Sequence, residues 1–90
     1  MDLREGKEFY ESQDEYLGVY FSDSVLTDIE SLAIIAGVHA SCFGCFRKLA
    51  TKFPYGIYYM KPKHEVQVVG VLDLRRDPVW LKKQIHGRLS

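Results

Sequence analysis

The spacing of apolar residues changes near the middle of this chain, and that change constrains the fold more than any other feature. In residues 2–36, apolar side chains recur every three or four positions, which is typical of amphipathic helices. From residue 43 to residue 74 they alternate or run together, which is typical of strands. The sequence therefore predicts an α+β fold. In this predicted fold, a two-helix hairpin packs on one face of an antiparallel β-meander, and a short C-terminal helix follows.

The first half of the chain predicts two helices joined by a short break. We expect the first helix at residues 2–16 and the second from Val19 to Ala36. Gly18 is the predicted break between them. Gly37 follows the last apolar position of the second helix, which is where a left-handed residue commonly ends a helix. Two helices with so short a connection are expected to form an antiparallel hairpin with one apolar side.

The second half predicts three strands and a final helix. The strands are expected at residues 43–52, 53–60 and 66–74. The third of these is rich in valine and apolar on nearly both faces, so it is predicted to be central in the sheet. Asp77 is the expected N-cap of the last helix, with Pro78 in its first position. With 90 residues and no linker-like segment, the chain is one domain spanning residues 1–90.

The charges are unevenly distributed although they sum to zero. Residues 1–36 carry nine acidic and two basic side chains, a net charge of −7. Residues 37–90 carry ten basic and three acidic side chains, a net charge of +7. The basic half is suited to a nucleic acid or to an acidic protein partner. The alternative is that the two halves form solvated faces that differ in sign without a ligand.

The composition also bears on the cellular compartment. No apolar run approaches the roughly 20 residues that a membrane helix needs, so we expect no membrane association. The N-terminal ten residues are charged and polar, unlike a secretory signal. Two cysteines are too few for a disulfide framework. These features together predict a cytoplasmic protein.

The two cysteines form a Cys-x-x-Cys motif, Cys42 and Cys45, which raises the question of a metal or redox site. One such pair is half of a typical zinc site, and the histidines at 39, 64 and 86 are the remaining candidate ligands. Redox motifs of this form begin a helix, whereas this pair enters a predicted strand. Strand alternation predicts that the two side chains point to opposite faces. We therefore predict no metal and no cofactor, and a pair of small buried residues instead.

The second half combines cations with aromatic rings. Seven cations lie on or at the ends of the predicted strands: Arg47, Lys48, Lys52, Lys61, Lys63, Arg75 and Arg76. Tyr55, Tyr58 and Tyr59 lie among them in sequence. RNA-binding sheets use cations to hold phosphates and rings to stack on bases, and cations also stabilise phosphoryl transfer. The spacing alone favours the simpler alternative, in which the tyrosines are core residues and the cations are solvated.

The order of motifs between residues 46 and 78 resembles the RelE/ParE family, the bacterial toxins of type II toxin–antitoxin systems. The matching motifs follow one another in the family order: Arg47, Phe53-Pro54-Tyr55, Lys61-Pro62-Lys63, the valine-rich run 66–71, and Arg75-Arg76-Asp77-Pro78. Residues 2–13 and 17–32 are similar to the two-helix hairpin of the family. The resemblance therefore covers nearly the whole chain. It implies a compact fold with a helical hairpin on an antiparallel sheet.

The resemblance also implies a function. Members of the family are small toxins, associated with plasmid stabilisation, that an antitoxin protein neutralises. RelE-like members cut mRNA on the ribosome, and ParE-like members poison DNA gyrase. Carried over by position, Arg47 and Arg75 or Arg76 match the functional basic positions of the family. With Lys52 and Tyr58 of the same half added, the target-binding candidates are Arg47, Lys52, Tyr58, Arg75 and Arg76. If the chain is instead a ribosome-dependent endoribonuclease, the catalytic candidates are Arg47, Lys52, Arg76 and His86.

Two departures from the family pattern shape these expectations. Family members usually begin with a strand, whereas this chain begins at the predicted first helix, so one sheet edge is expected to lack its partner. Such an edge favours a homodimer or a strand supplied by another chain. RelE-like nucleases carry a proton-transfer residue near the C-terminus, where this chain offers only His86. The ParE-like interpretation is therefore preferred, and an inactive interaction module that keeps the toxin fold is the further alternative.

Overall fold

A computed structural model describes residues 2–90 and confirms the predicted α+β architecture. The helices are α1 (Asp2–Glu11), α2 (Glu15–Ile35) and α3 (Pro78–Leu89). The strands are β1 (Ser41–Cys42), β2 (Cys45–Leu49), β3 (Tyr55–Met60) and β4 (Gln67–Asp73). They form one antiparallel sheet in the order β1-β2-β3-β4, so each strand pairs with its neighbour in the chain. The described part of the chain is thus a helical hairpin, a meander and a final helix.

The sheet lies between two helical layers because β3 and β4 are apolar on both faces. The α1–α2 hairpin covers one face, called here the hairpin side, where Phe21 packs with Tyr55, Ile57 and Tyr59. Helix α3 covers part of the opposite face, called the α3 side. There the cluster of buried residues consists of Cys45, Tyr58, Leu72, Leu81 and Ile85. Successive residues of β3 contribute to the two clusters in turn, as strand alternation requires. The prediction that the three tyrosines belong to the core is confirmed.

The break between the helices lies earlier than predicted. Helix α1 ends at Glu11, and the side chain of Asp14 accepts a hydrogen bond from the backbone N–H of Tyr16, capping α2. Gly18 is a buried residue inside α2, so the prediction that it separates the helices was wrong. A Cβ atom at Gly18 would lie 2.8 Å from the Cβ of Glu11 and 3.0 Å from the carbonyl oxygen of Lys7. The glycine permits close contact of the two helices instead of ending one of them.

The strand predicted at residues 43–52 was wrong at both ends. A tight turn occupies Phe43 and Gly44, both with positive φ, and β2 runs only from Cys45 to Leu49. The two residues before the turn form the short strand β1, which periodicity did not reveal. The other two strands were predicted with errors of one or two residues at their ends.

Strand β4 is at the edge of the described sheet, so the prediction that it is central was also wrong. Its apolar character on both faces has a different cause, because α1 lies against one face and α3 against the other. An apolar run therefore indicates that both faces of a strand are covered by other elements. It does not indicate that both edges of the strand pair with neighbouring strands. Strand β3 takes the central place between β2 and β4.

Two carboxylates have structural roles: Asp28 joins α2 to the loop after β2, and Asp77 caps α3. The carboxylate of Asp28, buried in α2, accepts hydrogen bonds from the backbone N–H and the hydroxyl of Thr51, at 2.9 and 2.6 Å. The side chain of Asp77 accepts from the N–H of Val79 at 2.7 Å, which confirms it as the cap of α3. Gly37 has φ of +93°, as the predicted helix terminator requires.

Among residues 2–90, no helix is both long enough and apolar enough to span a bilayer.

Candidate functional site

Arg47 and Tyr58 meet on the α3 side of the sheet, above the backbone of Gly56. Arg47 on β2 lies directly opposite Tyr58 on β3. A Cβ atom added to Gly56 would lie 3.2 Å from both the Cδ of Arg47 and the Cε1 of Tyr58, and 2.9 Å from a methyl carbon of Leu74. The glycine therefore forms the floor on which the three side chains converge. Two of the predicted target-binding candidates are neighbours because of this register.

The hydroxyl of Tyr58 is in an unusual environment. The residue is 0% exposed, and its hydroxyl makes no hydrogen bond with the described protein groups. Burial raises the pKa of Tyr58, and the nearby guanidinium of Arg47 opposes that rise without meeting the geometry of a full hydrogen bond. Within residues 2–90, Arg47 forms no ion pair with a carboxylate. A cation and an unsatisfied hydroxyl are thus placed side by side.

Arg75 differs from Arg47 because a carboxylate already holds it. Its Nε and Nη2 atoms donate to the two carboxylate oxygens of Asp73 at 2.9 and 2.8 Å. Its guanidinium carbon also lies 5.7 Å from the ring centroid of Phe9 on α1. The bidentate pair fixes the guanidinium at the end of β4. Arg75 is therefore placed to brace α1 against the sheet, although it is exposed enough to contact a partner as well.

This ion pair predicts a pH dependence of stability. Hydrogen bonding from the Arg75 side chain holds the pKa of Asp73 below its ordinary value. A carboxyl group with a lowered folded-state pKa stabilises the fold above its unfolded-state pKa, and this contribution disappears as pH falls through the folded-state pKa. We expect the Asp73→Asn variant to be less stable than the native chain at neutral pH, by about 1 kcal/mol or less because the pair is partly exposed.

Urea denaturation midpoints of the two proteins, measured from neutral pH down to about pH 2, test this expectation. The difference between the proteins is expected to shrink below about pH 4. A difference that stays constant over the whole range would show that the ionised pair contributes nothing to stability.

Arg76, the next residue, presents its charge to solvent. Its guanidinium carbon lies 3.8 Å above the ring of Trp80, a cation–π distance. Trp80 packs against the α3-side cluster together with Leu74, which also reaches the floor at Gly56. Arg76 also lines a pocket with Glu5 and Phe9 of α1, so it lies at the end of β4 between the hairpin and α3. The contact with Trp80 was not predicted, although the four-residue spacing at the start of a helix is a signal for it.

The remaining candidates lie elsewhere. Lys52 is exposed in the loop after β2 and lines a shallow groove with Asp23 and Thr27 of α2, on the hairpin side. His86 is exposed in the last turn of α3. Lys52 and Arg47 are thus on different sides of the sheet. The four catalytic candidates named for RNA cleavage do not converge on one point of the described structure.

The cysteines face the same way, contrary to the prediction that they point to opposite faces. Cys42 and Cys45 are cross-strand partners that flank the turn, and both pack in the α3-side cluster. Burial raises the pKa of the Cys45 thiol, and Cys42 adds to that rise. His39 instead contacts the hydroxyl of Tyr59, which belongs to the hairpin side. In residues 2–90, no three metal-binding side chains are grouped to hold an ion.

The edge formed by β4 is partly protected. The pairing with β3 is irregular between Tyr58 and Tyr59, which leaves Val69 as an extra residue in β4. A guanidinium nitrogen of Arg88 donates to the carbonyl oxygen of Val69 at 3.3 Å. An apolar groove beside this edge is lined by Leu26, Val68 and their neighbours. The homodimer through this edge stays a prediction.

Comparison with known proteins gives no relative. No protein-family profile, curated protein or solved structure matches this sequence or its fold.

Proposed function

We propose that this chain is the toxin of a type II toxin–antitoxin module, of the ParE-like kind, which acts in the cytoplasm. An antitoxin protein would bind and neutralise it, and DNA gyrase is the candidate target. The observation that carries the proposal is that Arg47 and Arg76 both reach solvent and form no ion pair with a carboxylate within residues 2–90. These are two of the basic positions that the resemblance to the RelE/ParE family marks as functional.

Cations on the α3 side support a target there, beginning with Arg47 on β2. The basic half of the chain also places Lys52, Lys61 and Arg75 beside the hairpin, so its charge of +7 is shared between the two sides. Lys82 and Lys83, exposed on α3, add to the cations on that side. A surface of one sign attracts a partner of opposite sign and speeds its association. Such a surface suits DNA, a protein–DNA complex or an acidic protein region.

The positions of Lys52 and His86 favour target binding over RNA cleavage. A general acid or base acts only within hydrogen-bond reach of the proton that it transfers. With Lys52 on the other side of the sheet from Arg47, the cleavage mechanism has no assembled site in the described structure. The ParE-like interpretation needs cations for binding alone.

Growth of bacteria after induction of the chain tests the proposal. The native chain is expected to arrest growth and to accumulate trapped gyrase–DNA complexes. The double variant Arg47→Ala, Arg76→Ala is expected to lose both effects, because two cations of the binding surface are removed. The matched control is Arg4→Ala. It removes an exposed cation of the hairpin whose contact with Glu8 is an exposed ion pair of little energetic value.

Each outcome distinguishes one function from another. Cleaved transcripts without gyrase complexes would replace the proposal with the endoribonuclease. Equal arrest by the native chain and a folded double variant would reject these two arginines as the site. Absence of arrest with soluble, folded native protein would reject the toxin and favour the interaction module.

A further inference from the structure

The side chains of Arg47 and Tyr58 offer hydrogen-bond donors without a protein acceptor. The guanidinium of Arg47 is half-buried and unpaired with any carboxylate in residues 2–90. The adjacent Tyr58 hydroxyl is buried and makes no hydrogen bond with a protein group. Leaving such a hydroxyl unsatisfied costs about 1–3 kcal/mol, and a phenylalanine in the same place would avoid that cost. Two converging donors, one of them charged, are satisfied together by an oxyanion.

Phe43 at the tip of the β1–β2 hairpin contacts the ring of Tyr58. Its ring stacks on that of Tyr58, with 6.2 Å between centroids and 15° between planes. The backbone of Phe43 has φ of +57°, and that of Gly44 has φ of +88°. Two-residue turns with positive φ at both positions favour asparagine, aspartate or glycine, and a bulky residue there is strained. The ring is therefore held over Tyr58 at a cost to the turn.

The tip of the turn is braced only lightly. A Cβ atom at Gly44 would touch Leu89, the last residue of α3, at 3.6 Å. Leu89 itself is 40% exposed. Strained, lightly packed turns are common where a site opens and closes.

We propose that the guanidinium of Arg47 and the hydroxyl of Tyr58 form a phosphate-binding site, with Phe43 as its cover. The inference deepens the proposed function, because Arg47 belongs to both. The oxygen atoms of one phosphate accept from the guanidinium and from the tyrosine hydroxyl at the same time. Lys82 and Lys83, exposed on α3, add positive charge to this side of the sheet, which favours a nucleic-acid phosphodiester over an isolated carboxylate.

Titration of the purified chain with inorganic phosphate, at constant ionic strength set with sodium chloride, tests the site. NMR chemical-shift changes of the Arg47 side chain and the melting temperature are the readouts. The native chain is expected to bind weakly, because the cover is closed most of the time. Phe43→Gly is expected to bind about tenfold more tightly, since apparent affinity scales with the open fraction. Glycine also suits the turn, so the hairpin is retained.

Tyr58→Phe separates the proposed site from a purely structural role. Without phosphate this variant is expected to melt at a higher temperature than the native chain, because an unsatisfied hydroxyl has been removed. Its phosphate affinity is expected to fall about tenfold or more. Arg47→Gln lacks the reporting side chain, so its readout is the melting temperature, which is expected to show no rise specific to phosphate. A Tyr58→Phe variant that melts lower, or that binds phosphate as the native chain does, would overturn the proposal.

Sodium acetate at the same concentrations gives the comparison between anions. Equal binding of acetate and phosphate would overturn the phosphate assignment in favour of a protein carboxylate. Phosphate binding that survives in Arg47→Gln would mean that any surface cation suffices. Phosphate binding without growth arrest would reject the toxin function and keep this site. Growth arrest without phosphate binding would reject this site and keep the toxin function.

Discussion

Replacing Phe21 with alanine is expected to destabilise the fold by about 3–5 kcal/mol, the usual range for deletion of a buried phenylalanine. Phe21 is 0% exposed, and its ring lies 4.9–5.0 Å from those of Tyr10, Phe53 and Tyr55. These rings come from α1, from the loop before β3 and from β3 itself. The cavity left by the substitution would therefore loosen the contact between the hairpin and the sheet. Total stability of small domains is only about 5–15 kcal/mol, so the loss is a large fraction of it.

Urea denaturation followed by circular dichroism measures this loss. Tyr16→Ala is the matched control, because it deletes an aromatic ring from the same helix at a residue that is 83% exposed. We expect a change within about 0.5 kcal/mol for the control. Similar losses for the two variants would mean that Phe21 does not join the hairpin to the sheet.

Two glycine-to-alanine substitutions are expected to change stability in opposite directions. A Cβ atom at Gly6 in α1 would lie 2.6 Å from the Cζ of Phe21, which is closer than real atoms approach. Gly6→Ala is therefore expected to cost about 1–3 kcal/mol through overpacking. At Gly87 in α3 a Cβ atom meets nothing within 4 Å. Gly87→Ala is expected to stabilise by about 0.5 kcal/mol, because alanine favours the helix.

The comparison is informative because both substitutions make the same chemical change inside a helix. Thermal melting of the two variants beside the native chain gives the signs directly. If Gly6→Ala melted at or above the native temperature, the close packing of α1 on the ring of Phe21 would be rejected. If Gly87→Ala melted at a lower temperature than the native chain, the open space around Gly87 in α3 would be rejected.

The elements with a clear hydrophobic period were predictable, and those defined by contacts were not. Helix α2 was identified because its buried residues recur at the helical period, and strand β3 because its segment is dense in aromatic residues. The break at residues 12–14 was missed because Gly18 was interpreted as the break between the helices. The side chain of Asp14 caps the N-terminus of α2 instead. The short strand β1 was missed because two residues are too few to show a period.

In the candidate site, too, the residues were predictable from the sequence and their contacts were not. Sequence order and the family resemblance named Arg47, Tyr58, Arg75 and Arg76, but they gave all four similar roles. Pairing register set Arg47 against Tyr58, and the carboxylate two residues away bound Arg75. These outcomes depend on which strands pair and on which side chains face α3. Neither is encoded in a local stretch of residues.

The sequence by itself determined the class of fold, the order of its main elements and the separation of acidic from basic halves. Periodicity and composition are local properties, and each segment expresses them whatever its neighbours do. Only the tertiary structure decided that β4 is an edge strand, that Cys42 and Cys45 face the same cluster, and that the ring of Phe43 stacks on that of Tyr58. The physical reason is that edges, shared faces and unsatisfied donors are relations between segments, and they exist only after the layers have packed together.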